Sequence, residues 1–482
     1  MVNDAVREAI NVKARAMGVP AKAPARKSAF RSHVPRHPPR AITPFRVLHL
    51  ARENVIAVWR PEAFYAPFLA EKFLFRWMYV ANNPDAVRHV MVSNVGNYWK
   101  SGAMQKALKP LVGNGSFVSN GEIWARQRRI NIPAFHHSRI RIYTRYMAEE
   151  AATLVRSWAD LGSGAEVALD AEMANVTARV VCRSMFSEDL GERGRPVFRA
   201  FSEYQEALRQ IDYAEMLVLP RWLSQRLRAR QRAACKVIDD VIYSIIDQRL
   251  SEGQDDRGDF LSTLLAARDE GTGTGLTREQ LRVEMSVIFL AGHETTAITL
   301  CWALYLLSQD AEVEARLAEE IEKVLAGRIP TQDDLKDLVY TNAVVNETLR
   351  LYPPVPVFSR QVLGRDEIDG IPIEPGSNMI VSPWLIHRHR LIWDRPSQFI
   401  PERFLPGQSR DRSKYAHIPF GAGPRSCIGA AFGEFETMII LASVIQRFRL
   451  KLREGFEVTP QARLSLRPSP GLPMKLEPRL RG

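Results

Sequence analysis

The segment Phe420-Gly421-Ala422-Gly423-Pro424-Arg425-Ser426-Cys427-Ile428-Gly429 restricts this chain more than any other stretch. Gly421, Gly423 and Pro424 specify a tight loop whose glycines let the backbone approach a ligand closely. An apolar helix is predicted to follow at once, with Phe432, Phe435, Met438, Ile439 and Val444 on its buried positions. Cys427 therefore falls at the N-terminal end of a helix, where amide N–H groups and the macrodipole favour an anion. Arg425 adds positive charge two residues away. These conditions stabilise a thiolate, the form of cysteine that binds metals. An inert buried cysteine is the plain alternative for a lone Cys after a glycine turn, but a Phe-Gly-Arg-Cys-Gly set at these spacings is far more restrictive.

The other cysteines, Cys182, Cys235 and Cys301, are widely separated and form no disulfide framework or zinc motif. A reducing, cytoplasmic setting is expected. The excess of 66 Lys+Arg over 54 Asp+Glu gives a formal charge of +12, which by itself does not choose among nucleic acid, membrane or an acidic protein. Residues 1–40 are basic, polar and rich in proline (Pro20, Pro24, Pro35, Pro38, Pro39), so they read as a mobile lead-in without a signal-peptide core. A weak amphipathic helix over Ala5 to Met17 is the alternative there. The longest apolar stretch, Val287 to Leu307, carries His293, Glu294, Thr295 and Thr296 near its centre, where a membrane span would suffer most. It reads as a buried core helix, and no integral membrane anchor is expected.

No internal repeat is present. Strand-like pieces such as Leu74 to Val80 open the chain, and Asp85 to Leu307 is mostly helical. Gln254 to Gly258 and Gly271 to Gly275 read as loops flanking a helix over Phe260 to Ala267. Small sheets are expected after Leu351, including Glu367 to Gly376. A last long helix is expected over Gly429 to Arg447 and a closing hairpin over Phe456 to Leu476. Arg228 to Arg232 reads as a solvated helix face. No segment has a flavodoxin, ferredoxin or dinucleotide-binding pattern.

Two further patterns carry chemistry. Glu347 and Arg350 lie at i and i+3 near the end of an apolar helix stopped by Tyr352-Pro353-Pro354. Alone, such a pair is usually a surface contact worth roughly a few tenths of a kcal/mol. In Ala291-Gly292-His293-Glu294-Thr295-Thr296, an interior glycine costs about 1 kcal/mol relative to alanine and so implies a reason, such as close approach of a flat cofactor. A buried Glu beside two Thr also implies partners. A satisfied polar kink is the plain alternative.

The Cys427 segment resembles the haem-binding signature FxxGxRxCxG of the cytochrome P450 family, matched at Phe420, Gly423, Arg425, Cys427 and Gly429. The similarity extends from about Ala41 to Leu476. It implies one haem domain over residues 41–482, mainly α with small β-sheets (an α+β class), and haem b between the long central helix and the Cys-loop helix. Cys427 becomes the axial iron ligand, with Ala291, Gly292, Phe420, Gly421 and Gly429 also against the cofactor. Trp124, Arg128, Arg360 and Arg425 match its propionate contacts. Glu294 and Thr295 fall on the acid–alcohol pair that moves protons during activation of O2, the co-substrate. His293 falls where the family varies and reads as a helix residue. Pro401-Glu402-Arg403-Phe404 supplies Arg403 to a structural network with Glu347 and Arg350.

The resemblance implies a monooxygenase that hydroxylates a lipophilic small molecule. Its electrons would come from a separate ferredoxin or flavodoxin and an NAD(P)H-dependent reductase, and no nucleic acid is involved. A peroxygenase or isomerase, which would tend to lose the acid–alcohol pair, and a non-catalytic haem or ligand-binding protein are the alternatives. Arg126, Arg129, Arg139, Arg141, Arg410, Arg412 and Lys414 are the candidate docking charges for an acidic donor. Substrate contacts are expected at Tyr98 to Ser119, Phe201 to Leu217, Val287 to Ala291, Val355 to Phe358 and Pro470 to Leu472.

Overall fold

The longest helix, Arg278–Gln309, begins where the sequence supplies its own cap. The Thr277 N–H donates to Gln280 Oε1 at 3.0 Å and the Gln280 N–H donates to Thr277 Oγ1 at 3.2 Å, a reciprocal capping box. Helix Val339–Leu351 stops at Tyr352, because Pro353 disfavours helical backbone in the residue before it. Helix Ala430–Ile445 follows the Cys427 loop, with Gly429 as its N-cap.

The computed structural model describes residues 29–38, 43–73, 75–187, 200, 203–204, 225–253, 256–269 and 271–479. The chain divides into two compact units. The first takes Met1–Ser101, Ala151–Met173 and Thr295–Gly482; the second takes Gly102–Glu150 and Ala174–Glu294.

The first unit holds the sheets. Strands β1 (Phe68–Phe73), β2 (Arg76–Ala81), β3 (Tyr98–Lys100), β4 (Phe358–Val362) and β5 (Asn378–Val381) pair in the order β1-β2-β5-β4-β3. Leu74, expected to start the second strand, lies outside the described residues. Only β2 and β5 run parallel, with Met78 opposite Asn378. Tyr79, Ala81, Met379 and Val381 share one core with Ile386 and Ile418. Because alternate strand residues share a face, this sheet face packs on the segment that leads into the Cys427 loop. A second sheet joins Phe448–Leu452, Pro473–Pro478 and Glu166–Ala168, and hairpins form at Thr459–Ala462 with Leu466–Ser469 and at Asp366–Ile368 with Ile371–Ile373. Trp302 links the long helix to this region: its ring stacks on Tyr352 at 3.9 Å and its Nε1 donates to Leu466 O at 2.8 Å.

Residues 29–38 depart from the expected mobile lead-in. The Ser32 N–H donates to Ser397 O at 2.7 Å, the Phe399 N–H donates to Phe30 O at 2.9 Å, and the Phe30 ring meets Tyr305 edge-on at 6.0 Å. An aromatic anchor and strand-like backbone bonds tie this piece down, a role its proline-rich composition conceals. The rest of the lead-in, including Ala5 to Met17, lies outside the described residues.

Among the described residues the second unit contains helices and no strand. Glu284 is 1% exposed and accepts from Ser116 N at 3.0 Å, Ser116 Oγ at 2.7 Å and Asn131 Nδ2 at 2.7 Å. It thereby fastens the loop after Val112 to the long helix. A Cβ on Gly115 would lie 2.8 Å from both Val283 and Val287 side chains, so this loop needs glycine to pack. The long helix is apolar enough to cross a membrane by length and composition, yet 72% of its most apolar window is buried inside the protein. The overall class is mainly α with small sheets, as the sequence implies.

Candidate functional site

The Cys427 loop is built by hydrogen bonds that its glycines permit. The Gly421 N–H donates to Ile418 O at 3.0 Å, the Ser426 N–H to Gly423 O at 3.0 Å, and the Cys427 N–H to Phe420 O at 2.8 Å. Gly421 and Gly423 have φ of +73° and +69°, in the left-handed region. Gly423 also presses on another segment, because a Cβ there would lie 2.1 Å from Met91 O. The loop leaves Cys427 exposed, whereas Cys182, Cys235 and Cys301 are buried. Cys427 precedes the N-cap Gly429 by two residues, so it stands just ahead of the helix rather than in its first turn.

The same unit holds the expected ion network. Arg350 Nε and Nη2 donate to Glu347 at 2.7 and 2.8 Å, and Arg350 also donates to the carbonyls of His387, Pro396 and Gln398 at 2.8, 2.7 and 3.0 Å. Arg403 Nε stands 3.4 Å from Glu347, and the Ile400 N–H donates to the same carboxylate at 2.8 Å. Glu347 and Arg350 are fully buried and Arg403 is 4% exposed. A buried pair is stable only when its remaining donors and acceptors are satisfied, and these carbonyls and N–H groups satisfy them.

Arg360 and Arg425 lie near one another in the first unit. Arg360 is 7% exposed, makes no ion pair among the described residues, and donates one side-chain hydrogen bond, to Ser359 O at 3.0 Å. Burial pushes its guanidinium down to about 10. Burial and the nearby Arg360 push Arg425 down to about 10 as well. Two mutually repelling guanidinium groups in the same unit as a presented cysteine fit a cofactor that carries negative charge at its edge and binds thiolate at its centre. In the second unit, Trp124 and Arg128 lie half-buried on one face of helix Gly121–Asn131.

The long helix carries the polar hexapeptide. Glu294 is 9% exposed and His293 7% exposed. His293 Nδ1 lies 2.9 Å from Phe289 O, and Thr177 Oγ1 donates to His293 O at 2.9 Å, in keeping with a helix residue. No group of metal-ligating His, Cys, Asp and Glu side chains occurs among the described residues. The Thr295 carbonyl accepts from Thr299 Oγ1 at 2.9 Å. At Gly292 a Cβ would meet Val181 at 3.0 Å, on the neighbouring helix Leu169–Phe186, so the glycine also serves packing there.

Most of the charges expected to dock an acidic donor have internal partners. Arg129 pairs with Asp269 at 3.2 Å, and Arg139 grips Asp256 at 2.9 and 2.6 Å. Arg126 donates to Thr274 Oγ1 and Gly275 O, both at 3.2 Å. Arg412 lies over the Trp393 and Phe404 rings and donates to Arg403 O at 2.6 Å. The partners of Arg126, Arg129 and Arg139 lie more than a hundred residues away in sequence, so these side chains brace loops. Arg141, Arg410 and Lys414 are exposed. Of the expected substrate contacts, Phe201 to Leu217 lies largely outside the described residues, and Tyr98 is buried and donates to Asp366 at 2.5 Å.

Residues 35–475 match the family model described as Cytochrome P450. The chain belongs to the cytochrome P450 family. It is 34% identical over 414 residues to "Cyclooctatin synthase" of Streptomyces melanosporofaciens, spanning 84% of this chain and 87% of that protein. It is also 34% identical over 410 residues to "Cyclooctat-9-en-7-ol 5-monooxygenase" of the same organism, spanning 83% and 86%. The fold matches the crystal structure of the cytochrome P450DA heme domain at a TM-score of 0.78, over 86% of this chain and 90% of that one, with 24% identity. This P450 is therefore a monooxygenase that uses haem b and O2.

Glu436 is a buried group that the sequence reading passed over. It sits on the helix after Cys427, fully buried, with the Thr296 hydroxyl as its polar neighbour. Burial pushes its carboxyl well above the usual carboxylate range and the hydroxyl only partly opposes this. A carboxyl inside the run Phe432 to Val444 was the available signal, since a buried acid needs a partner or a proton. The folded state holds this proton more tightly than the unfolded chain, so stability falls as pH rises from the ordinary carboxyl range through the raised value. Glu436→Gln is expected to flatten that decline in melting temperature. An identical pH profile for both proteins would contradict the assignment.

Proposed function

We propose that this P450 hydroxylates a lipophilic small molecule, using electrons from a separate ferredoxin or flavodoxin and its NAD(P)H-dependent reductase. The observation that carries the reading is the adjacent acid and alcohol at the middle of the long helix, Glu294 buried and Thr295 half-buried. Haem, when bound, supplies activation of O2 and oxidation of the substrate. Cys427 would hold the iron through its sulfur, and Arg360, Arg425, Trp124 and Arg128 would hold the propionates by charge-assisted hydrogen bonds. Glu294 would bring protons inward at its carboxylate, and Thr295 would pass them on at Oγ1. Ala291, Gly292, Phe420, Gly421 and Gly429 would pack against the macrocycle.

The names of the two Streptomyces relatives are compatible with a cyclic hydrocarbon skeleton as substrate. Arg141, Arg410 and Lys414 are exposed, and their charge would steer an acidic donor. The long helix is largely buried inside the protein, which supports a segment that does not span a membrane, and four widely separated cysteines suited to a reducing compartment support a cytoplasmic enzyme.

Thr295→Ala is expected to retain haem and substrate binding while product formed per electron falls severalfold and peroxide release rises. Thr295→Ser should restore most of the coupling. Unchanged product yield per electron in Thr295→Ala would remove the proton-relay assignment.

A further inference from the structure

A gap separates the Glu347–Arg350 network from the loop it is expected to hold, because the hydrogen bonds of these two side chains go to residues 387, 396, 398 and 400 rather than to 418–429. His387 fills it. Its carbonyl accepts from Arg350 Nη1 at 2.8 Å, and its ring Nε2 accepts from the Ile418 N–H at 2.8 Å. Ile418 O then accepts from the Gly421 N–H at 3.0 Å, and Phe420 O accepts from the Cys427 N–H at 2.8 Å. The path from buried carboxylate to cysteine thus passes through one imidazole.

We propose that His387 is a positioning residue for Cys427, setting the entry of the Cys427 loop by accepting the Ile418 N–H and transmitting the fixed position of Arg350 to it. The proposal rests on the reading of Cys427 as the iron ligand. An acceptor at this point requires a neutral imidazole with its proton on Nδ1. The surroundings enforce neutrality: His387 is fully buried, and burial with nearby His417, Arg350 and Arg388 holds its ring well below the ordinary histidine value. The ring is also fixed sideways, with the His417 ring centroid 5.0 Å away. His417 in turn meets Phe404 at 4.8 Å, so the imidazole has little room to swing off the Ile418 amide.

The geometry assigns different outcomes to two amides. A glutamine side chain reaches as far as imidazole Nε2 and can accept the Ile418 N–H, whereas asparagine is one methylene short. In the haem-loaded protein, His387→Asn should speed hydrogen exchange at the Ile418 amide by about tenfold, the factor that one lost hydrogen bond is worth. The fraction of reduced, carbon-monoxide-bound protein showing the thiolate-type spectrum should fall with it. His387→Gln should keep both near wild type. Equal exchange and equal thiolate fraction in wild type, His387→Asn and His387→Gln would overturn the proposal. So would loss in the glutamine and asparagine variants to the same extent, since this would reduce His387 to a space-filling residue. If His387→Asn fails to fold, a His387→Gln protein with the wild-type thiolate fraction supports the acceptor role, and one lacking it refutes that role. Failure of the ligand reading is separate: wild type itself would then lack the thiolate-type spectrum.

Discussion

Gly423→Ala is expected to yield little or no haem-loaded protein and a melting temperature far below wild type. Two costs add there. Left-handed backbone costs an L-residue about 1–2 kcal/mol, and Gly423 has φ of +69°. The larger cost is steric, because the new methyl would lie 2.1 Å from Met91 O and 3.2 Å from Val92 Cγ2. A backbone carbonyl cannot rotate away as a flexible side chain can, so either the Met91 segment or the Cys427 loop must move. Gly370 provides the control. Its φ is +77°, but a Cβ there meets nothing within 4 Å. Gly370→Ala should therefore show only the backbone cost, roughly 1 kcal/mol, with haem content intact. Holoprotein yield and thermal unfolding of the two variants check the ordering. Equal, mild effects would show that the close approach at Met91 is not maintained in the folded protein.

Arg350→Lys, although it conserves charge, is expected to be nearly as damaging as Arg350→Met. The guanidinium makes two bonds to Glu347 and three to backbone carbonyls, in three directions set by its planar fork. An ammonium can serve only some of these acceptors from one point. In Arg350→Met, Glu347 keeps only Arg403 at 3.4 Å and the Ile400 N–H at 2.8 Å. Breaking a buried pair from one side typically costs about 3–5 kcal/mol, a large share of the stability of a folded domain. Both variants should be recovered mainly as unfolded or haem-free protein, as measured by soluble yield and the ratio of haem to polypeptide. Wild-type stability in Arg350→Lys would mean that the carbonyl contacts contribute little.

Features whose physics is local were legible in the sequence. The stop at Pro353 and the glycine turn around Cys427 each follow from residues a few positions apart. Glu347 and Arg350 share a helix face, but their burial became visible only through Ile400 and Arg403, which arrive from later in the chain. Long-range partners were not legible. Arg139 and Arg129 looked like free surface charge until Asp256 and Asp269 were placed beside them. Gly292 was assigned to cofactor approach, and the structure adds Val181, a neighbour more than a hundred residues earlier. His387 carried no local signal for the same reason, and the apolar run around Glu436 flagged a buried acid without naming its neighbour, since Ile418 and Thr296 belong to other elements.

The central claim is that Cys427 ligates the haem iron through a thiolate. The most direct test is the spectrum of the reduced carbon-monoxide complex, compared between wild type and Cys427→Ala. Wild type should show the thiolate-type spectrum, and Cys427→Ala should lose it even in preparations that retain haem. An unchanged spectrum in Cys427→Ala would contradict the account.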